Sequence, residues 1–183
     1  MERKYPMKTV TMKTVTIAVF SICAWMTCFD LALSADGISP QAAFDKLKGL
    51  AGRWEGSVDT PDGPASVVEY RVTAAGKTVI EVMFPGSEYE MMSVYYMDGD
   101  QLIAKHFCAM GNQPEMKLDG KASSENELHF VFTGGTNMDR AKDAHMHGGR
   151  IAFVGDRLEN EWMVFASGKQ EGANRFYLSR VKE

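Results

Sequence analysis

The chain has 183 residues, 45% of them hydrophobic and 24% charged, and a formal net charge of −4. That length supports one domain with a substantial core and falls short of two. The acidic balance argues against nucleic acid and anionic membrane surfaces as partners.

The first element in chain order is not part of that domain. Arg3, Lys4, Lys8 and Lys13 precede the apolar run TVTIAVFSICAWMTCF over 14–29, and small residues follow at Ala32, Ser34 and Ala35. A basic start, a short apolar stretch and small residues read as a secretory signal peptide over 1–35. The run is shorter than the ~20 residues a membrane-spanning helix needs, so cleavage and no stable membrane span are expected. MKTVT occurs in tandem at Met7 and Met12, making both methionines candidate start sites. Removing 1–35 takes away four basic residues and two acidic ones, Glu2 and Asp30, leaving a formal charge of about −6. Cys23 and Cys28 leave with the leader, so Cys108 stands alone and the exported chain is expected to rely on its core, not on a disulfide. The expected location is the periplasm or the extracellular medium.

The segment ISPQAAFDKLKGLAG is the one clear helix. Ser39 suits its N-cap, Pro40 its first turn, and Gly52 follows its end. Ala43, Phe44, Leu47 and Leu50 fall on one face, so the helix should lie across something apolar.

Beyond Gly52 the hydrophobic period changes to alternation. The expected strands are RWEGSVD, ASVVEYRVTA, TVIEVMF, YEMMSVYYM, QLIAKHFCAM, PEMKLDG, ELHFVFTG, HGGRIAFVG, LENEWMVFAS and NRFYLSRV, parted by turns such as PDGP, AAGK, DGDQ and SGKQEG. About ten short strands joined by tight turns describe an antiparallel meander, and so many edges are best removed by closure. The expected fold is all-β: residues 36–183 form a single up-and-down antiparallel barrel with a short N-terminal helix. The long connection GGTNMDRAKDA is expected to form a short helix or a lid.

Alternation also sorts side chains by face. In ELHFVFT, Leu128, Phe130 and Phe132 share one side, which puts His129 toward water. In QLIAKHFCAM, Lys105 marks the water side, so His106 and Cys108 point inward with Leu102 and Ala104. His145 and His147 are in phase with Gly149, Ile151 and Phe153, and point inward if the strand stays regular through Gly148 and Gly149. Three of the four histidines are thus interior candidates, accompanied by Cys108. His106, His145 and His147 are the candidate metal ligands, with Cys108 or Glu161 as a fourth or neighbouring group, because an open zinc site takes three protein ligands plus water. Against this stands a polar-lined cavity in which the imidazoles only hydrogen-bond. The charges Glu69, Arg71 and Glu81 are expected on a solvated outer face. The chain lacks a G-x-S-x-G elbow, a phosphate-binding loop and a dinucleotide fingerprint.

The G-x-W at Gly52-Arg53-Trp54 resembles the opening of calycin barrels, which include lipocalins, fatty-acid-binding proteins and nitrobindin-type haem barrels. In lipocalins an arginine of the last strand packs over that tryptophan, and the resemblance implies Arg180 for this role, closing one barrel end on Trp54. FDKLKGLAGRWEG, MDGDQLIAKHFCAMGNQPEM, HMHGGRIAFV and ENEWMVF are similar to a group of exported bacterial calycin-like proteins of uncharacterised function. That resemblance implies a fold and no activity, while the nitrobindin-like relatives imply haem ligation by one histidine.

Three function classes follow. The first is an exported barrel binding a small, partly apolar ligand, with His106, Cys108, His145, His147 and Glu161 as candidate ligand-binding residues. The second is a zinc- or haem-dependent protein or enzyme using the same histidines. The third is an envelope interaction scaffold with a filled interior.

Overall fold

A computed structural model describes residues 37–182. The leader expected over 1–35, with Cys23 and Cys28, lies outside the described residues. No described helix is long and apolar enough to cross a membrane.

The helix α1 spans Pro40–Lys48, with Ser39 Oγ accepting from the Ala42 amide at 3.2 Å and Pro40 in the first turn. Lys46 and Lys48 stand in its last turn, the sign that its dipole favours there. Its buried face is Ala43, Phe44 and Leu47, which join the barrel core.

Ten antiparallel strands follow: β1 Gly52–Val58, β2 Ala65–Thr73, β3 Thr78–Met83, β4 Met91–Asp98, β5 Gln101–Phe107, β6 Gln113–Leu118, β7 Glu127–Thr136, β8 His145–Val154, β9 Arg157–Ala166 and β10 Lys169–Arg180. Each pairs with its sequence neighbours, and β1 pairs with β10 to close the barrel. This is the all-antiparallel up-and-down barrel with a leading helix that the alternation called for. Closure leaves no free sheet edge.

Several strand limits differ from expectation: β8 begins at His145, and β10 begins at Lys169, taking in most of the expected turn SGKQEG. β5 ends at Phe107, and Cys108 lies in a turn where its amide donates to Asn112 O and its carbonyl accepts from Gly111 N. The connection after β7 forms no helix. Gly134, Gly135 and Thr136 extend the strand, and Asp139 closes a single turn by accepting from the Asp143 amide at 2.8 Å. That loop is tied to its neighbours by Asn137 Nδ2 donating to Gly111 O and the Ser167 amide donating to Lys142 O.

The barrel has two unlike ends. At the end where β1 begins, the Arg180 guanidinium lies 4.5 Å from the Trp54 ring centre. Arg180 also donates to Gly49 O and Ala51 O, both at 2.6 Å, and Trp54 Nε1 donates to Leu50 O at 2.8 Å. Gly52 sits at φ +125°, and a Cβ there would come within 3.1 Å of Arg180 Nη1. The G-x-W spacing therefore has a local cause: glycine supplies the turn and the room, and tryptophan supplies the platform. The opposite end, where β1, β3 and β5 finish, holds a cavity.

Candidate functional site

The cavity has a volume of about 340 Å³. Its wall is chiefly apolar, formed by Met83, Phe84, Met91, Met146, Trp162, Val164 and Phe176, with Met110 at its rim. Unbranched thioethers on three strands and a turn give it an adaptable surface. His106, Cys108 and His145 also line it. Asp59, on an exposed turn, is the one acidic wall residue, and neither lysine nor arginine contributes.

His106 is the functional group best defined by the fold. It is 1% exposed, and burial pushes its imidazole down to about 4, so it is neutral at neutral pH. Its Nδ1 lies 3.1 Å from Ser93 Oγ, its register partner on β4. Ser93 in turn faces Glu81 on β3, and Glu81 faces Tyr70 on β2. Tyr70, Glu81, Ser93 and His106 therefore form one transverse row across four neighbouring strands.

Glu81 corrects the outer-face expectation: it is fully buried. Tyr70 OH donates to Oε1 at 2.8 Å, Tyr95 OH donates to Oε2 at 2.6 Å, and Asn160 Nδ2 donates to Oε1 at 3.2 Å. Burial raises the Glu81 carboxyl, while these donors and the Ser93 hydroxyl pull it back down. Burial first, then the Glu81 charge, raises both tyrosines well above their usual value and keeps them donating. The signal available in TVIEVM was weak, because Ile80 and Val82 make both faces apolar. Glu69 and Arg71 do face outward, Glu69 accepting from Arg53 at 2.7 Å.

Ser93 Oγ stands between His106 Nδ1 and the Glu81 carboxyl, and lowers that carboxyl. A serine hydroxyl has one proton, so when Glu81 takes it the Ser93 oxygen can only accept from His106 Nδ1–H. His106 Nε2 makes no hydrogen bond to the described residues. Trp162 adds the complementary feature: it is 1% exposed, lines the cavity, and its Nε1–H is buried without a partner.

The structure does not bring the three interior histidine candidates to one point. The β8–β9 register slips between Met146 and Gly148, leaving His147 as the extra residue of a bulge. His147 is half-buried and sandwiched between Phe132 and Phe165, with ring centres 4.4 and 4.5 Å away, and does not line the cavity. Burial, then neighbouring His145, lowers its imidazole. His145 is fully buried; Nδ1 donates to Asp143 O at 2.7 Å, so Nε2 accepts from His147 Nδ1 at 2.9 Å. Each ring spends one nitrogen on the other. Among the described residues no three His, Cys, Asp or Glu side chains are grouped to hold a metal ion.

Two further candidates fall outside the pocket or at its margin. Glu161 alternates with buried Trp162 and lies on the outer face, where it accepts from Arg175 Nε and Nη2 at 3.1 and 3.2 Å. Cys108 lines the cavity from its turn, and its sulfur receives the Met110 amide at 3.5 Å. His129 is on the outer face as expected, bonded to Glu127, which also accepts from Arg150 at 2.7 Å.

Fold and site together define a closed ten-strand antiparallel barrel with an apolar end cavity addressed by a neutral imidazole, an architecture compatible with the calycin-like class. No protein-family model matches the chain. Comparison with curated proteins likewise finds no match.

Proposed function

We propose that this chain is an exported calycin-like binding protein that holds a small, largely apolar molecule in the end cavity of its barrel. The observation that carries the reading is the cavity itself: a wall of methionine and aromatic side chains into which one buried imidazole offers an unused nitrogen. Pockets of this kind bind by apolar burial and orient through few polar groups. Export rests on the basic-then-apolar pattern over 1–35, and kinship with exported bacterial barrels rests on the FDKLKGLAGRWEG and ENEWMVF resemblances.

The full-length chain, expressed with its leader in a bacterial host, is the material for the test. Cleavage near Ala35, recovery from the periplasm and an adduct in native mass spectrometry are the expected results. Naphthalene added to ligand-stripped protein is expected to raise its Tm. Protein without an adduct and without a naphthalene response overturns the binding reading, and an uncleaved leader overturns export.

A further inference from the structure

We infer that the cavity selects an uncharged molecule carrying a hydroxyl on an apolar body, a phenol or hydrophobic alcohol, whose O–H donates to His106 Nε2. This rests on the binding reading above and names the ligand class for the same cavity.

The argument begins with what the wall lacks. No lysine or arginine lines it, so a buried carboxylate or phosphate would find no countercharge. Asp59 is exposed at the mouth, too wet to compensate a cation seated deep among Phe84, Trp162 and Phe176. The ligand is therefore neutral.

Of the polar wall residues, Asp59 and Asn174 are exposed and His145 uses both ring nitrogens within the protein, while His106 keeps one free. With the ring proton on Nδ1, 3.1 Å from Ser93 Oγ, Nε2 of His106 is an acceptor. The row Glu81–Ser93–His106 favours that tautomer, since Ser93 has one proton and the Glu81 carboxyl beside it attracts it. A hydroxyl gives its proton to Nε2 while its carbon body lies on the apolar wall. Neither an ether nor a hydrocarbon has a proton to give Nε2. Leaving a buried donor or acceptor unpaired is what penalises the wrong ligand.

The test compares three probes of matched shape on the whole protein by calorimetry: 2-naphthol, 2-methoxynaphthalene and 2-naphthoate. 2-Naphthol is expected to bind at least about tenfold tighter than its methyl ether, with 2-naphthoate weakest. In His106→Phe the ether is expected to keep its affinity while the preference for naphthol falls to near unity. Should that variant fail to fold, the wild-type ratio decides alone. Equal binding of naphthol and ether overturns the hydroxyl selection while leaving the cavity reading intact. Tightest binding of naphthoate overturns it too, by showing a cationic site. Binding of none of the three overturns both.

Discussion

Tyr95 donates to Oε2 of Glu81 across 2.6 Å, inside a barrel that hides both residues completely from water. The carboxyl sits with hydroxyls and an amide and no cation, so burial raises its pKa above the model value of 4.5. The folded chain then holds the Glu81 proton to higher pH than the unfolded chain does. Its contribution to stability is greatest below 4.5 and declines as pH rises through the raised value. In Glu81→Gln that decline is expected to vanish from the urea-midpoint profile. Glu81→Leu orphans several buried donors and is expected to lose roughly 3 kcal/mol at neutral pH.

His106 has the opposite slope. Its folded pKa of about 4 lies below the ordinary 6.5, so the unfolded chain takes up a proton first as pH falls. Its contribution is fully present above 6.5 and is lost between 6.5 and 4, an amount of about 3 kcal/mol. The difference in unfolding free energy between the wild type and His106→Phe should change by that amount across this window. A pH-independent difference would show an imidazole that water reaches. Proton NMR titration of the ring gives a direct reading.

Arg180 ties the last strand to the segment leading into β1, with two carbonyls and the Trp54 face as its partners. Arg180→Ala is expected to lower stability by about 1–2 kcal/mol in urea denaturation. Arg180→Lys should recover little of this, because an ammonium lacks the planar fork that reaches both carbonyls while lying on the ring. Ligand affinity at the opposite end should stay unchanged in both.

Gly149 makes room for Trp162: a Cβ there would lie 2.0 Å from the indole Cε3. Gly149→Ala forces the ring to move and is expected to destabilise the fold by about 1–3 kcal/mol. Because Trp162 lines the cavity, a shift in its fluorescence and weaker 2-naphthol binding should accompany the loss.

His147 belongs to the aromatic stack and not to the cavity wall. His147→Ala removes a ring held between Phe132 and Phe165 and is expected to lower stability by about 1 kcal/mol. Calorimetry with 2-naphthol should show affinity within about twofold of wild type, since the ring does not line the cavity. A large loss of affinity would place His147 in the binding site after all.

The site was legible only in part. His106 could be placed because Lys105 names the wet face of its strand, and the structure buries the imidazole as that phase requires. Cys108 was read on the same strand, but the chain turns at Phe107, and a turn that begins inside a periodic run leaves the period unbroken in sequence. His147 shows the sharper limit. A single extra residue in β8 moves it off the phase of Ile151, and a bulge is a matter of pairing with β9, which no local pattern records. Glu81 was misread for a related reason: a strand apolar on both faces carries no phase, and the usual preference of carboxylates for water filled the gap.

Alternation, turn chemistry and one capped amphipathic helix were enough to specify a closed meander, because each depends on residues a few positions apart. The Gly52–Trp54 spacing belongs to the same class. The row Tyr70–Glu81–Ser93–His106 has a different origin: its members come from four strands and meet only once register is set. Register depends on how the whole sheet closes and which face loses water, a free energy summed over the barrel and carried by no single segment.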